Sequence, residues 1–434
     1  MLNNISALLE KTNNIKRSSY VWNAINAMLS ACQCPVIMMV IMRTNGVKDA
    51  GVFSIAFAVA SLMLYVGLYG LRRYQASDVL GKYTFRQYHA MRWISCGVMI
   101  MASGAYCIYG MVFNDYSWTK FLVVFVVCML KLIQAYSDVV HGRMQQQGRL
   151  DVATKCSSVR YVAEVLSYCA MLALTHDLLL SSVVCLAVSI GVLALTTMNA
   201  GRRYCDYKPE FIGSKVKFLS LEGFPLFLSL FLNMYISNAP KYAIDAYLTD
   251  EIQAIYTIIF MPAFMVGLLA NFIFNPILTS YAQLWQSREY KKIKKMCRLI
   301  RRQCLAVLGI TVLGLAVAYT IGIPLLSIIF GTDLGDYREE LCLVMLGGGM
   351  LAYSTFFSTV VTIIRRQAAM SLCYAAAAVL SKVMAGILVV RYDIVGAVAL
   401  YGIVMTMLSI MLGGLMIYGI VKDLKAVKSI DCNA

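Results

Sequence analysis

Several charged side chains fall inside long apolar stretches of this sequence, where a charge is costly and therefore informative. Five of them are Lys131, Glu164, Lys241, Asp245 and Lys382. An ionisable group within a membrane-spanning helix is expensive to bury, and it marks a candidate for ligand binding, ion coupling or pairing with an opposite charge. A lysine in such a place can hold an anion, whereas a carboxylate can hold a cation or a proton.

Lys131 and Glu164 lie in consecutive apolar stretches, each about two helical turns from the same end. We therefore expect the two side chains at a similar depth on neighbouring helices. They predict an ion pair that is either structural or used to couple transport to an ion. Arg160 and Asp138 occupy the same two stretches nearer the surface.

Three other basic residues could contact an anionic ligand. Lys382 lies near the middle of its stretch, and the neighbouring stretches carry no acid at that depth. It could bind an anionic ligand, donate to a helix carbonyl, or reach toward the membrane surface from a shallower position. Arg72 and Arg73 follow the second stretch. They could bind an anionic ligand, or serve only to orient the chain in the membrane.

A proline stands next to the fourth candidate cation. Lys241 and Asp245 are four residues apart and directly follow Pro240. Because proline removes a backbone donor and bends a helix, this segment predicts either a hinge with an anion contact or an interfacial ion pair. Pro35 is the corresponding hinge in the first stretch, and Arg43, just beyond that stretch, is the approximate counterpart of Lys241.

Residue patterns that would mark an enzyme or a metal site are absent from the sequence. The histidines, His89, His141 and His176, form no cluster, and the 14 cysteines include no CxxC pair. We therefore expect no metal, no other cofactor and no catalytic constellation. A Walker A loop is also absent, so the chain itself is not expected to hydrolyse ATP.

Composition indicates the setting of these residues. Of 434 residues, 60% are apolar and 14% charged, and the mean hydropathy is +0.72. Soluble domains carry about 25% charged residues, so a water-soluble fold is excluded. A β-barrel is disfavoured because its strands alternate in polarity. The sequence predicts an all-α polytopic membrane protein.

Twelve apolar stretches are long enough to cross a membrane, which takes about 20 residues. They run over residues 20–42, 50–70, 93–113, 117–138, 158–175, 178–199, 219–246, 252–281, 304–330, 341–364, 370–390 and 394–421. Twelve crossings place both termini on one side.

The basic residues predict which side that is. The net charge is +16, from 38 Lys and Arg against 22 Asp and Glu. Few of these basic residues fall in the loops opposite the termini, namely Arg43, Lys48, Lys120, Lys241, Arg338 and Arg391. This asymmetry predicts cytoplasmic termini and explains the net charge without a nucleic-acid partner. Residues 282–303 mix apolar and basic residues, which predicts either a helix lying on anionic lipid headgroups of the inner leaflet or an orientation signal alone.

The two sets of six stretches look related. Residues 51–57 match residues 254–260 in size and chemistry, including Phe53 with Tyr256 and Phe57 with Phe260. An even number of crossings per half gives both halves the same orientation, so this would be a parallel repeat. Chance similarity between apolar segments is the alternative interpretation.

Three segments resemble the polysaccharide (Wzx-like) flippases of the multidrug/oligosaccharidyl-lipid/polysaccharide exporter superfamily. They are Gly70–Asp78, His141–Asp151 and Glu222–Leu248. The resemblance implies a V-shaped transporter with lobes at 1–200 and 219–421, a cytoplasmic linker at 201–218 and a cytoplasmic tail at 422–434. It also implies that a polyprenyl-diphosphate-linked oligosaccharide is turned from the inner to the outer leaflet of a bacterial inner membrane by alternating access. The partners that the resemblance implies are polysaccharide-assembly proteins.

Two other functions fit the same features. One is a cation-coupled multidrug exporter of that superfamily, and the other is a membrane-embedded enzyme or scaffold for glycan assembly. Drug exporters of the superfamily often carry an acid in the first span, whereas this span has Asn23, Asn26 and Gln33. The basic candidates suit an anionic substrate better.

Overall fold

The computed structural model describes residues 9–78, 82–274, 278–287 and 289–431, excepting the side chains of residues 73, 77, 268–274, 278–279 and 425–431. All regular structure within these ranges is helical, which confirms the all-α prediction. Nine of the described helices are long and apolar enough to cross a membrane. The twelve apolar stretches all fall on helices, although the stretch 252–281 also includes residues 275–277, which lie outside the description.

The helices follow one another with short connections. In chain order they are α1 Ile15–Thr44, α2 Val47–Leu68, α3 Leu71–Ser77, α4 Phe85–Phe113, α5 Trp118–Gln146, α6 Leu150–Thr175, α7 Leu178–Val192, α8 Gly213–Tyr247, α9 Asp250–Phe274, α10 Leu278–Gln286, α11 Tyr290–Val317, α12 Ile323–Phe330, α13 Arg338–Ile363 and α14 Gln367–Asp431. Two π-helical turns, Leu193–Met198 and Ala318–Gly322, extend α7 and join α11 to α12. Tyr392 and Asp393 have non-helical dihedrals and divide α14 into the last two predicted spans.

The chain divides into two compact units, Met1–Met234 and Tyr235–Ala434. The division falls inside α8, whereas the linker expected from the sequence lies at residues 201–218. Those sequence-based lobe boundaries stay a prediction.

Local sequence explains how the helices of the first unit begin and turn. Asn14 caps α1 by accepting from the backbone nitrogen of Arg17, as short polar side chains do at helix starts. Tyr69 and Gly70 adopt left-handed dihedrals between α2 and α3, and this turn redirects the chain so that α3 leaves the axis of α2.

Gly67 lets α2 approach its neighbours closely. A Cβ atom there would come within 2.6 Å of Met99 Sδ and 2.8 Å of Ala135 Cβ. A larger residue would force α2 away from α4 and α5. The close approach also leaves the Gly67 carbonyl within reach of buried hydrogen-bond donors on α4, Arg92 and Ser95.

In the second unit, α11 packs one face into a hydrophobic core. Ile293, Met296 and Ile300 are buried against a cluster that includes Trp285 and Phe356. These apolar residues of the segment 282–303 therefore pack on protein, while contact of its basic residues with lipid headgroups stays a prediction. The amphipathic pattern there reflects a helix with one face on protein, because a helix on a protein core has the same period as a helix on a membrane.

Candidate functional site

Lys131 and Glu164 meet within the first unit through a glutamine of α1. The Lys131 Nζ atom donates to Gln33 Oε1 at 2.9 Å, and Gln33 Nε2 donates to Glu164 Oε2 at 2.7 Å. All three side chains are buried. The two charges are thus joined by an amide that satisfies both, which a buried ionic group requires.

Glu164 has two further partners. Ser189 Oγ on α7 donates to Glu164 Oε1 at 2.5 Å, and Arg160 Nη1, one helical turn earlier on α6, lies 3.7 Å from the same oxygen. Arg160 thus lies directly beside the carboxylate of Glu164, and Lys131 is linked to it only through Gln33. We call Gln33, Lys131, Arg160, Glu164 and Ser189 the charged cluster. Its surplus positive charge favours an anionic partner.

A small cavity adjoins the charged cluster. Its volume is about 20 Å³, and its lining includes Gln33, Lys131 and Glu164 together with Phe53, Phe57 and Tyr168. A cavity of this size has room for about one water molecule and is too small for a ligand headgroup. The cavity therefore adjoins the charged cluster without being a substrate pocket in this conformation.

Matched residues of the two halves each pack against a lysine. Lys131 Nζ lies 4.4 Å from the centre of the Phe57 ring, and Lys241 Nζ lies 5.2 Å from that of Phe260. Both distances fall within the range of cation–π attraction. The two phenylalanines occupy matched positions of the predicted repeat, but the lysines come from α5 and α8, which do not correspond, so the repeat stays a prediction.

The candidate residues of the second unit differ in how far they are buried. Lys241 and Asp245 are both buried on α8, next to the buried Pro240. Lys382 is exposed on α14, between the exposed Val379 and Val383. No hydrogen bond or ion pair of Lys382 occurs in the described part of the chain. Lys382 is thus exposed among apolar side chains, whereas Lys241 is enclosed.

Pro35 and Arg43 both lie within α1. Arg43 was expected just beyond the span, but it occupies the last turn of the helix and is exposed there. A basic side chain in the last turn is favoured there by the helix dipole. Hinge and anion-binding roles for these two residues stay predictions.

Arg72 lies in a charge network at one end of the first unit. Its Nη1 atom is 3.3 Å from Asp138 Oδ1, while Arg92 Nη2 donates to Asp138 Oδ2 at 2.9 Å. Arg92 is completely buried, although its sequence position suggested a loop, because α4 begins at Phe85, before the apolar stretch. The side chain of Arg73 lies outside the described residues.

Two segments that carry the family resemblance come together near α3. Glu222 of α8 accepts hydrogen bonds from Tyr74, from Lys82 Nζ at 2.6 Å and from Tyr83 at 3.3 Å. The hydrogen bond between Tyr74 and Glu222 raises the pKa of Tyr74 to about 12. The hydrogen bond between Lys82 and Glu222 likewise raises the pKa of Lys82. Tyr69 stacks on Phe227 in the same contact, with ring centres 4.7 Å apart. This Glu222 contact was not predicted.

No group of three or more His, Cys, Asp or Glu side chains in the described ranges could hold a metal ion. His141 is buried with its ring nitrogens 3.4 Å from the hydroxyls of Ser157 and Thr197. Both ring nitrogens of this histidine therefore face hydroxyl groups of the protein.

Comparison with known proteins gives one sequence relative. A capsular polysaccharide biosynthesis protein, CapF, of Staphylococcus aureus is 20% identical over 340 residues, which cover 78% of this chain and 82% of that protein. No model of a protein family matches the chain.

Solved structures give broader similarity. An inward-facing multidrug resistance MATE family transporter of the MOP superfamily aligns with a TM-score of 0.66 at 12% identity, over 95% of this chain and 99% of that one. A MOP superfamily transporter from Pyrococcus furiosus, described as having a binding pocket of reversed polarity, aligns with a TM-score of 0.55 at 12% identity, over 98% of both chains. These findings agree with the resemblance drawn from the sequence: the chain is a multi-pass membrane protein with the fold of the multidrug/oligosaccharidyl-lipid/polysaccharide exporter (MOP) superfamily.

Proposed function

We propose that this protein moves a polyprenyl-diphosphate-linked oligosaccharide from the inner to the outer leaflet of a bacterial inner membrane, for the assembly of a surface polysaccharide. The transporter fold and the capsular polysaccharide relative support this proposal. Alternating access, as the resemblance implies, would supply the movement.

The observation that carries the proposal is the surplus of positive charge among the membrane-spanning helices. Two basic side chains are grouped around the carboxylate of Glu164, Arg160 directly and Lys131 through Gln33. Lys382 has no acidic partner within the described ranges. A diphosphate supplies the opposite charge, whereas a cationic drug would be repelled. Carrying the headgroup against lysines would offset the cost of removing its charge from water.

Each candidate residue has a proposed role. Lys382, Lys241, Arg43, Arg72 and Arg73 would contact the anionic headgroup along its route. Lys131 and Glu164, and Asp245 beside Lys241, would serve as ion pairs that are structural or couple transport to an ion. Pro35 and Pro240 would be the hinges.

The multidrug exporter is the second candidate function. The structural similarity to multidrug transporters favours it, and Glu164 is a buried carboxylate that could hold a proton or cation. The glycan-assembly enzyme is less favoured, because the structural neighbours are transporters.

Reconstituted protein distinguishes a transporter from an enzyme. Purified full-length chain in liposomes should expose a fluorescent polyprenyl-diphosphate oligosaccharide to the opposite leaflet while its mass stays unchanged. A changed glycan mass after incubation with a sugar donor would contradict the proposal and support an enzyme.

A further inference from the structure

The helix α11 carries a continuous exposed stripe opposite the face that packs into the second unit. Ile293, Met296 and Ile300 point inward, whereas Lys291, Arg298, Arg302 and Leu305 are exposed. Intervals of three, four and seven residues place side chains on one face of a helix. The stripe is basic up to Arg302 and apolar from Leu305 onward.

The apolar part of the stripe shows what the whole stripe faces. Leu305, Leu308, Val312 and Leu313 are all exposed, and in a membrane-spanning helix such side chains contact lipid chains. The basic residues lie on the same face, so they project toward the same lipids. Arg302 is three residues, or about 4.5 Å along the axis, from Leu305.

The depth of the stripe places its arginines at the membrane surface. From Leu305 to Phe330 the helical segments cover about 38 Å at 1.5 Å per residue, enough for a hydrocarbon core of about 30 Å. Arg298, Arg301 and Arg302 therefore lie at the level of the lipid headgroups. On the predicted topology this is the inner leaflet.

The stripe has no opposite charge of its own. In the described part of the chain, the ion pair at this end of α11 joins Lys292 to Glu289, and Lys292 lies beside the stripe. Lys291, Arg298, Arg301 and Arg302 form no salt bridge there. By contrast, Arg72 and Arg92 of the first unit share Asp138.

We propose that the basic end of α11, around Arg298, Arg301 and Arg302, binds the phosphate groups of anionic phospholipids in the inner leaflet. The guanidinium groups would pair with lipid phosphates, since arginine donates in a planar fork that matches them. The acyl chains of the same lipids would lie on Leu305 and Leu308. This site is separate from the one proposed for the transported substrate.

Photo-crosslinking at Leu305 tests this proposal. The full chain, with p-benzoylphenylalanine at position 305, is placed in phosphatidylcholine vesicles that contain phosphatidylglycerol as the minor lipid. Mass spectrometry of the adducts should show phosphatidylglycerol enriched severalfold over its share of the bilayer. The triple variant Arg298→Gln, Arg301→Gln and Arg302→Gln should return the adducts to the bilayer composition.

Two further variants keep the test specific. The triple change of Arg298, Arg301 and Arg302 to lysine should retain most of the enrichment, because the charge remains. The control Arg202→Gln, Lys208→Gln and Lys215→Gln removes equal charge from exposed positions elsewhere and should retain it as well. Adducts that match the bilayer composition in the unaltered chain would overturn the proposal. The same vesicles are also tested with a polyprenyl diphosphate added as a minor lipid. Enrichment of that lipid without enrichment of phosphatidylglycerol would also overturn the proposal, because the stripe would then bind the transported substrate.

Discussion

Phe57 and Phe260 occupy matched positions in the two halves of the chain, and each has a lysine ammonium group over its ring. Lys131 is 4.4 Å from the first ring centre and Lys241 is 5.2 Å from the second. The lysines come from α5 and α8, which do not correspond in the repeat. An ammonium group therefore reaches the same aromatic position of each unit from two different helices.

Charge at Lys382 and Lys241 should matter more than side-chain identity. We expect Lys→Arg at either position to keep most flipping, and Lys→Gln to lower it by about tenfold to a hundredfold at sub-saturating substrate, since a charge-assisted contact is worth about 1.5–3 kcal/mol. Initial flipping rates in proteoliposomes measure this. For Lys241, recovery of the rate in Lys241→Gln with Asp245→Asn would show an ion pair instead of a headgroup contact. For Lys382, full flipping by a well-inserted Gln variant would remove the residue from the proposed site.

Gln33 should stabilise the first unit through its two hydrogen bonds. Gln33→Leu leaves the buried Lys131 and Glu164 without the amide that joins them, and we expect a loss of about 2–5 kcal/mol in unfolding free energy. Thermal unfolding in detergent measures the change. Asn26→Leu is the matched control on α1, because the Asn26 side-chain oxygen has no hydrogen-bond partner. Equal shifts for the two variants would show that Gln33 does not hold the cluster.

The sequence predicted the helices and the depth of Lys131 and Glu164, because both follow from hydropathy and the helical repeat. It did not predict Gln33 as their bridge, since an amide in an apolar stretch shows no partner until three helices are packed. The apolar stretch 93–113 leaves Arg92 just outside a predicted span for a related reason. The helix α4 begins before that stretch, and the tertiary contacts of Arg92 with Asp138 and with the Gly67 carbonyl explain an arginine buried there.

The Glu222 contact should stabilise the protein at neutral pH and lose this effect in alkali. Lys82 has its pKa raised above the usual 10.5, so its ion pair is present below that value and is lost as the pH rises through the folded-state pKa. Tyr74 follows the same direction, because it donates to Glu222 only while protonated. The melting temperature of Glu222→Gln should therefore lie below that of the unaltered chain at neutral pH, and the gap should close as the pH rises. The control Glu289→Gln removes an exposed ion pair with Lys292 and should leave the melting temperature unchanged. A difference in melting temperature between Glu222→Gln and the unaltered chain that stays constant across the pH range would contradict this account.

Membrane topology can be measured at two exposed positions. A cysteine at Asp336 should react with an impermeant maleimide added outside intact cells, whereas one at Glu289 should react only after the membrane is opened. Both positions are exposed in the structure, so access depends on the side of the membrane. The native cysteines are replaced first, and the opposite labelling pattern would reverse the proposed direction of transport.

The central claim is that the chain carries a lipid-linked oligosaccharide diphosphate across the membrane, and leaflet exchange of that lipid is its most direct test. Proteoliposomes with the full chain should expose a fluorescent polyprenyl-diphosphate oligosaccharide to an external quencher much faster than protein-free vesicles. Unlabelled diphosphate-linked oligosaccharide should compete, while the same oligosaccharide on an uncharged lipid should compete weakly, because the proposed contacts are with the phosphates. Exchange at the protein-free rate, in vesicles that export a cationic dye, would contradict the claim and indicate a multidrug exporter.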